Sequence, residues 1–286
     1  MPVNAFTVDV EDWFHICGVG DRLPPEHWDA LPSRVVDTTH RLLDDLSAAD
    51  VTATFFVVGW VAERFPMLVT DIVAAGHEVG AHSYWHRRLY ELTPAEFAVD
   101  LASNVDALSA AGVPAVRAFR APEWSGNDRA PWAPAALRRA GFTVDASRAP
   151  VPFVGSSAYP RRPYPLATSC GPLLELPPFV VTRGRWPYPL GWGWGLRAAH
   201  PSTVLRAIDA RNRRGDPAIL TVHPWEIDPE PPSVRLPPRL AFAHYFRLSG
   251  FRLRLREMIA GTDFGPLSQL PDVLAWPCAA GDAGAD

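Results

Sequence analysis

The stretch VTATFFVVGWVAERFPMLVTDIVAAGHEVGAHSYWH, residues 51–86, carries a complete strand–helix–strand unit that ends on two histidines. Val51 to Val58 is β-branched and aromatic and of strand length, Trp60 to Ala75 has helical spacing with a stop at Gly76, and His77 to Ala81 is a short strand leading into His82. The same alternation extends in both directions. Upstream, Phe6 to Val10 is a β-prone run that turns acidic at Asp9, Glu11 and Asp12. Ser33 is placed to cap a helix through Leu46, with Val35, Val36, Leu42, Leu43 and Leu46 on one face. Downstream, Thr93-Pro94-Ala95-Glu96 is a capping box opening a helix to Ala110. A strand at Val116–Phe119, a helix at Pro134–Ala140 and a strand at Phe142–Asp145 follow. The pattern predicts an α/β fold built on parallel strands.

The alternation breaks between residues 149 and 201, a stretch rich in proline, glycine and tryptophan that reads as an insertion, with Leu173–Leu176 as its clearest strand and Gly191–Gly195 as a tight aromatic loop. It resumes with a helix at Ser202–Arg213, a strand at Ala218–Val222 ending on His223, and an amphipathic helix at Leu248–Ala260. The expected organisation is one domain over residues 1–276 with a flexible tail at 277–286.

Composition narrows the function. At 286 residues, 48% hydrophobic and 20% charged, the chain is an ordinary globular protein. Its net charge is −4, and its scattered cations are all arginine, which disfavours nucleic acid as a partner. No signal peptide and no apolar run of the roughly 20 residues that would span a bilayer is visible, so a cytoplasmic location is expected. Cys17, Cys170 and Cys278 are too few and too scattered for a disulfide framework.

Chemically capable residues recur where strands end: Asp9 and Glu11, His82, Arg120, Asp145 and His223. In α/β barrels and open parallel sheets, that edge is where ligands bind. Any one of these could be a helix cap, a salt bridge or a satisfied core histidine; five on one edge favour a site. His82 and His86 at i, i+4, joined by a carboxylate, form the three-ligand set of a hydrolytic metal centre. Period-two geometry puts Glu11 on the face of Asp9, whereas Asp12 requires a bend, and both stay open as the carboxylate ligand.

Phe6-Thr7-Val8-Asp9-Val10-Glu11-Asp12, His82-Ser83-x-x-His86, Arg120-Ala121-Pro122-Glu123-Trp124, Asp145-x-Ser147 and Val222-His223 fall in the order of five motifs that the chain shares with the polysaccharide deacetylases, the NodB-homology or carbohydrate esterase family 4 group. His223-Pro224-Trp225-Glu226 and the His244-Tyr245 region resemble the subgroup encoded with exopolysaccharide and exosortase loci. The resemblance implies a distorted (β/α) barrel with fewer than eight complete units, a divalent metal, and removal of N-acetyl groups from the amino sugars of a polysaccharide or oligosaccharide. Zinc is the first expectation for the metal, with cobalt, manganese, nickel or iron as alternatives.

By the same resemblance Asp9 is the general base, Arg120 its partner, His223 the general acid and Asp145 the group that holds the His223 ring. His82, His86 and Glu11 or Asp12 are the metal ligands, and an amide near Tyr84 or Trp85 serves the oxyanion. Trp124 and Trp225, with Tyr84 and Pro122, are the expected substrate contacts. Alternative readings are a hydrolase of small amides or cyclic ureides on the same scaffold, and a catalytically silent carbohydrate-binding relative.

Overall fold

A computed structural model of the chain describes residues 4–16, 18–19 and 22–276; the tail expected to be flexible, together with Cys17 and Cys278, lies outside the described residues. In chain order the elements are β1 (Asn4–Val10), α1 (Val35–Ala48), β2 (Thr54–Val57), α2 (Gly59–Arg64), α3 (Pro66–Ala74), β3 (Glu78–Ala81), α4 (Pro94–Ala110), β4 (Ala118–Phe119), α5 (Ala133–Arg139) and β5 (Val144–Asp145). The second half contributes β6 (Tyr164–Leu166), β7 (Leu173–Glu175), β8 (Val181–Arg183), β9 (Trp186–Tyr188), α6 (Gly193–Ala198), α7 (Pro201–Asn212), β10 (Ile219–Val222), α8 (Pro238–Tyr245), α9 (Phe251–Ile259) and β11 (Phe264–Gly265).

One sheet runs in the order β10-β1-β2-β3-β4-β5-β7-β6, with β11 on β1. Every pairing from β10 to β7 is parallel, and β6 returns antiparallel on β7. The sheet curls. Past β7 the chain reaches back to β10, where Phe179 donates its amide to the Ile219 carbonyl (2.9 Å) and Trp192 bridges Thr221. The result is the distorted α/β barrel that the resemblance implies, with β6 and β7 of the sheet contributed from within the insertion.

Register divides the strand residues between two faces. Ala5, Phe56, Ala118, Val144, Leu174 and Ile219 share one cluster on the inner face. Their strand neighbours point outward to the helices, as Phe119 does against Phe97 of α4 (5.7 Å between ring centroids). By this alternation Thr7 and Asp9, His82, Arg120 and His223 fall on the inner face. Asp145 follows Val144 directly and pairs in register with Glu175 of β7, so both acids belong to the outer face.

Three local expectations change. The helix expected over Trp60–Ala75 is two helices, because Pro66 forces Phe65 out of helical geometry (φ −131°, ψ 60°) and opens α3 at its first position. The aromatic loop at Gly191–Gly195 turns into α6 at Gly193. Ser33 does not cap α1; the Asp12 carboxylate does, accepting from the amides of Arg34 (3.1 Å) and Val35 (3.4 Å) and from the Ser33 hydroxyl. The capping box at α4 forms as read, with Thr93 Oγ accepting from Glu96 N (3.2 Å) and the Glu96 carboxylate accepting from Thr93 N (2.7 Å).

Candidate active site

The His82–His86 turn is pinned from two helices. The His82 amide donates to Asn104 Oδ1 (3.1 Å), and the Tyr84 and Trp85 amides donate to the two oxygens of Asp100 (2.9 and 3.1 Å), all from α4. The first amides of α2, Gly59 and Trp60, donate to the Ser83 and Tyr84 carbonyls (2.9 and 3.1 Å). A Cβ at Gly59 would stand 2.9 Å from the Tyr84 Cα and 2.5 Å from its ring, so the close approach requires glycine. Ser83 and His86 adopt left-handed backbone (φ 62° and 52°), a strained conformation held by these contacts. One expectation fails here: Asp100 already engages the amides of Tyr84 and Trp85, which are therefore not free for an oxyanion.

The turn delivers two imidazoles to one carboxylate. His86 Nε2 lies 2.9 Å and His82 Nε2 3.2 Å from Glu11 Oε1, with His82 1% and Glu11 5% exposed. His82 Nδ1 donates to the Arg120 carbonyl (2.8 Å), which leaves Nε2 to present its lone pair toward Glu11. An acceptor facing an acceptor is a poor arrangement unless a proton or a cation lies between them. A second N–H fixed on a backbone carbonyl is also how metal-binding histidines are oriented. The ligand atoms of Glu11, His82 and His86 all lie within 4.8 Å of one another, so the donor set fits a divalent ion.

Burial works against ionising Glu11, yet the facing imidazoles of His86 and His223 hold its carboxyl well below the usual range. Trp225 Nε1 approaches its other oxygen at 3.4 Å. Glu11 reaches this place by a turn rather than by strand alternation: β1 ends at Val10, and the Glu11 amide folds back on the Asp9 carbonyl (2.9 Å). The structure therefore brings Glu11, and not Asp12, to the imidazoles.

Asp9 sits beside this cluster. Arg120, 1% exposed, donates from Nη1 to Asp9 Oδ1 (2.7 Å) and Thr7 Oγ1 (2.8 Å) and from Nε to the Ala146 carbonyl (3.0 Å), spanning the barrel from β4 to β1. Its guanidinium lies over the Phe56 ring at 4.3 Å. The salt-bridge and functional readings of Arg120 coincide in this one contact. Across the site, His223 Nε2 faces Asp9 Oδ2 at 3.9 Å and Glu11 Oε1 at 3.8 Å.

Asp145 does not hold the His223 ring. That ring stacks on Trp225 (5.1 Å, 25° between planes), and its Nδ1 donates to Glu226 (3.0 Å), three residues on in the same turn. Glu226 in turn takes a short hydrogen bond from Arg197 of α6, both fully buried. Burial alone would push the His223 pKa down, but Glu11, Glu226 and Asp9 together lift it to about 9. Asp145 instead accepts from Ser147 Oγ, whose oxygen accepts the Ala121 amide (2.8 Å). Glu226 enters the sequence reading only as part of a motif and Arg197 not at all; the signal for the Glu226 role was a glutamate three residues after a strand-end histidine, the spacing of a capping box.

The residues expected to contact substrate are mostly buried. Trp124 and Trp225 are each 8% exposed, the first packed on Trp192 (5.0 Å), and Pro122 is buried. Tyr84 turns its hydroxyl to Glu63 of α2. The cavity that touches the imidazole cluster, 110 Å³ beside His86, is lined by His15, Trp28, Trp85, Arg88 and Glu123. Of these, Trp85 lies within the histidine pentapeptide and is 40% exposed.

Comparison with known proteins follows the same partition. Residues 27–144 match the family model for polysaccharide deacetylases, and residues 146–272 match that of a domain of unknown function, DUF3473. Asp9 and Glu11 precede the first segment and His223 falls in the second, so the candidate site draws on both and on the strand before them. The chain is 36% identical over 110 residues to a chitooligosaccharide deacetylase of Bradyrhizobium sp. (strain ANU 289), covering 37% of this chain and 50% of the relative. It is 39% identical over 62 residues to a peptidoglycan-N-acetylglucosamine deacetylase of Bacillus cereus, 22% of each chain. The matches thus span half or less of the length of these curated relatives.

Among solved structures, a Mycobacterium smegmatis protein assigned as a polysaccharide deacetylase superposes with a TM-score of 0.57 at 24% identity, covering 91% of this chain and 85% of that one. A family 4 carbohydrate esterase pseudoenzyme from Bacillus anthracis gives 0.50 at 17% identity, covering 95% and 66%. These likenesses concern the fold. No described helix is long and apolar enough to cross a membrane. The match to the polysaccharide deacetylase model thus lies within residues 27–144, and the curled sheet is the fold that these solved structures share.

Proposed function

We propose that this protein is a metal-dependent hydrolase that removes N-acetyl groups from the amino sugars of a bacterial polysaccharide or oligosaccharide, and that residues 1–276 act as one domain. The observation that carries the reading is the convergence of His82 Nε2 and His86 Nε2 on one oxygen of buried Glu11, with the other nitrogen of His82 committed to a carbonyl. Because a pseudoenzyme shares the fold, the argument rests on these side chains and not on the barrel. His82, His86 and Glu11 would hold the ion, zinc first, with cobalt, manganese, nickel or iron as alternatives. When bound, such an ion acidifies water and polarises the amide carbonyl.

The chain's own groups supply the proton transfers. Asp9 accepts the proton of the attacking water at Oδ2, since Arg120 engages Oδ1 and keeps the carboxylate oriented. His223 is charged at neutral pH; its Nδ1–H is taken by Glu226, so the Nε2–H points to the site and protonates the departing amine. The exposed edge of Trp85 beside His86 offers an aromatic face to a pyranose ring.

The test is turnover of N-acetylglucosamine oligomers and of a cyclic ureide by metal-loaded protein, with acetate release from the first and ring opening of the second measured separately. Acetate from the oligomer alone supports the proposal. Ureide hydrolysis alone establishes the small-amide alternative, and no turnover with bound metal establishes a silent relative.

A further inference from the structure

A second concentration of charge lies at the opposite edge of the sheet. Arg161 of the insertion and Arg211 and Arg214 at the end of α7 line a groove of 360 Å³ floored by Phe179, Val180, Val181 and Thr182. The Arg211 side chain is only 14% exposed, and its Nε, buried, has no hydrogen-bond partner; the nearest carboxylate, Asp216, stands 3.8 Å away. Arg161 reaches across the groove to the Thr182 hydroxyl. Burial lowers the Arg211 pKa, Asp216 opposes this, and Arg161, Arg214 and Arg162 add to the lowering, as expected where several cations surround one acid.

The negative end of the α7 dipole accounts for arginines on the helix, but not for Arg161 converging from another segment. Arg213, on the same turn, shows the ordinary solution: it pairs with Asp209 at i, i+4 in solvent. Three guanidiniums kept together in a half-buried groove against one carboxylate are short of negative charge. Guanidinium is the side chain best suited to a tetrahedral oxyanion. From the groove floor, β8 runs on to Arg183, whose register partner Trp186 is 62% exposed with the Arg185 guanidinium 5.1 Å from its ring.

We propose that the groove formed by Arg161, Arg211 and Arg214 is a binding site for a phosphate group, separated from the candidate active site by the length of β10. That strand begins after α7 and ends before His223, about 13 Å at the usual rise of ~3.3 Å per residue. The phosphate is either free or carried on a lipid headgroup, and the test distinguishes the two. Inorganic pyrophosphate binding is measured by calorimetry, and flotation is measured with phosphatidylglycerol–phosphatidylcholine vesicles against phosphatidylcholine alone.

Pyrophosphate binding without flotation assigns a free phosphate, flotation only with the anionic vesicles assigns a headgroup, and either supports the site. In both arms Arg161→Gln with Arg214→Gln weakens binding at least about tenfold, whereas Arg139→Gln with Arg239→Gln, which removes two exposed charges elsewhere, does not. Failure of the unmodified protein to bind either probe, retention of affinity by the first pair, or an equal loss in the second pair overturns the proposal. None of these readouts depends on deacetylation.

Discussion

Glu11 and Glu175 are buried glutamates at the same edge of one sheet, the first turned to its inner face and the second to its outer face. Inside, two imidazoles converge on Glu11, and His223 and Arg120 stand nearby, so charge is retained and the Glu11 carboxyl is held down. Outside, Glu175 lies in register with Asp145, at 0% and 2% exposure. Burial and its acidic neighbour push Glu175 well above the ordinary range, and Asp145, raised chiefly by burial, reaches about 6. The contrast teaches that a strand-end acid acquires its chemistry from the face it occupies. A one-residue step along a strand exchanges a cation-binding environment for a proton-sharing one.

The sharpest way to break this comparison is to neutralise each glutamate in turn. Glu11→Gln should reduce bound divalent metal from one equivalent to a trace and lower deacetylation by roughly a thousandfold or more, since the ion's whole contribution is lost. Elemental analysis and acetate release read both. Full metal occupancy in this variant would remove Glu11 from the ligand set. Asp9→Asn should keep the metal, since Asp9 stands outside the Glu11–His82–His86 group and is engaged by Arg120, and lose roughly 10²- to 10⁴-fold in kcat, the usual worth of a positioned base. An Asp9→Asn protein with undiminished kcat would return Asp9 to a purely structural role beside Arg120.

Much of the inner face was legible because each of its residues ends a strand that sequence alone identifies: Asp9, His82, Arg120 and His223 all fall there. Asp145 ends its strand with the outward parity, away from His223. Asp12, left open beside Glu11, lies past the end of β1 and spends its oxygens on the first amides of α1. For Asp145 the decisive fact is pairing with Glu175 across the 29 intervening residues, most of them an irregular insertion, where local pattern carries no register. Pro66 was visible in the sequence, and the break it imposes follows from its ring. Trp28, Trp85 and His15 meet beside His86 only through tertiary packing, which no periodicity encodes.

Glu226 tests whether the inner face reaches beyond its own strands. Glu226→Gln preserves a hydrogen-bonding group beside His223 Nδ1 but removes the charge that Arg197 and His223 share. The expected result is unchanged metal content and roughly tenfold lower kcat with little change in KM, equivalent to about 1.4 kcal/mol in the barrier. Loss of metal or a change confined to KM would place Glu226 in the scaffold rather than in the orientation of the acid.

The smallest effect belongs to the outer face, and its sign is the informative part. Both carboxyls of the Asp145–Glu175 pair have raised folded-state pKa values, so their contribution to stability is complete below the ordinary carboxylate range near 4. It is lost as pH climbs through about 6 for Asp145 and further for Glu175. Glu175→Gln keeps a neutral group at the position and relieves Asp145 of a neighbouring charge. The wild-type Tm should therefore fall more steeply than that of the variant between pH 5 and pH 7. Groups elsewhere that titrate in this window contribute to both proteins and cancel in the difference. At pH 7 the variant should melt higher by roughly 2–4 °C, about the shift that 1 kcal/mol produces in a chain of this size. Its deacetylation rate should stay within about threefold of wild type, because Glu175 faces away from the cluster. Parallel melting curves would mean that the pair does not share a proton, and collapse of activity on neutralising Glu175 would mean that the two faces of the sheet are chemically one site.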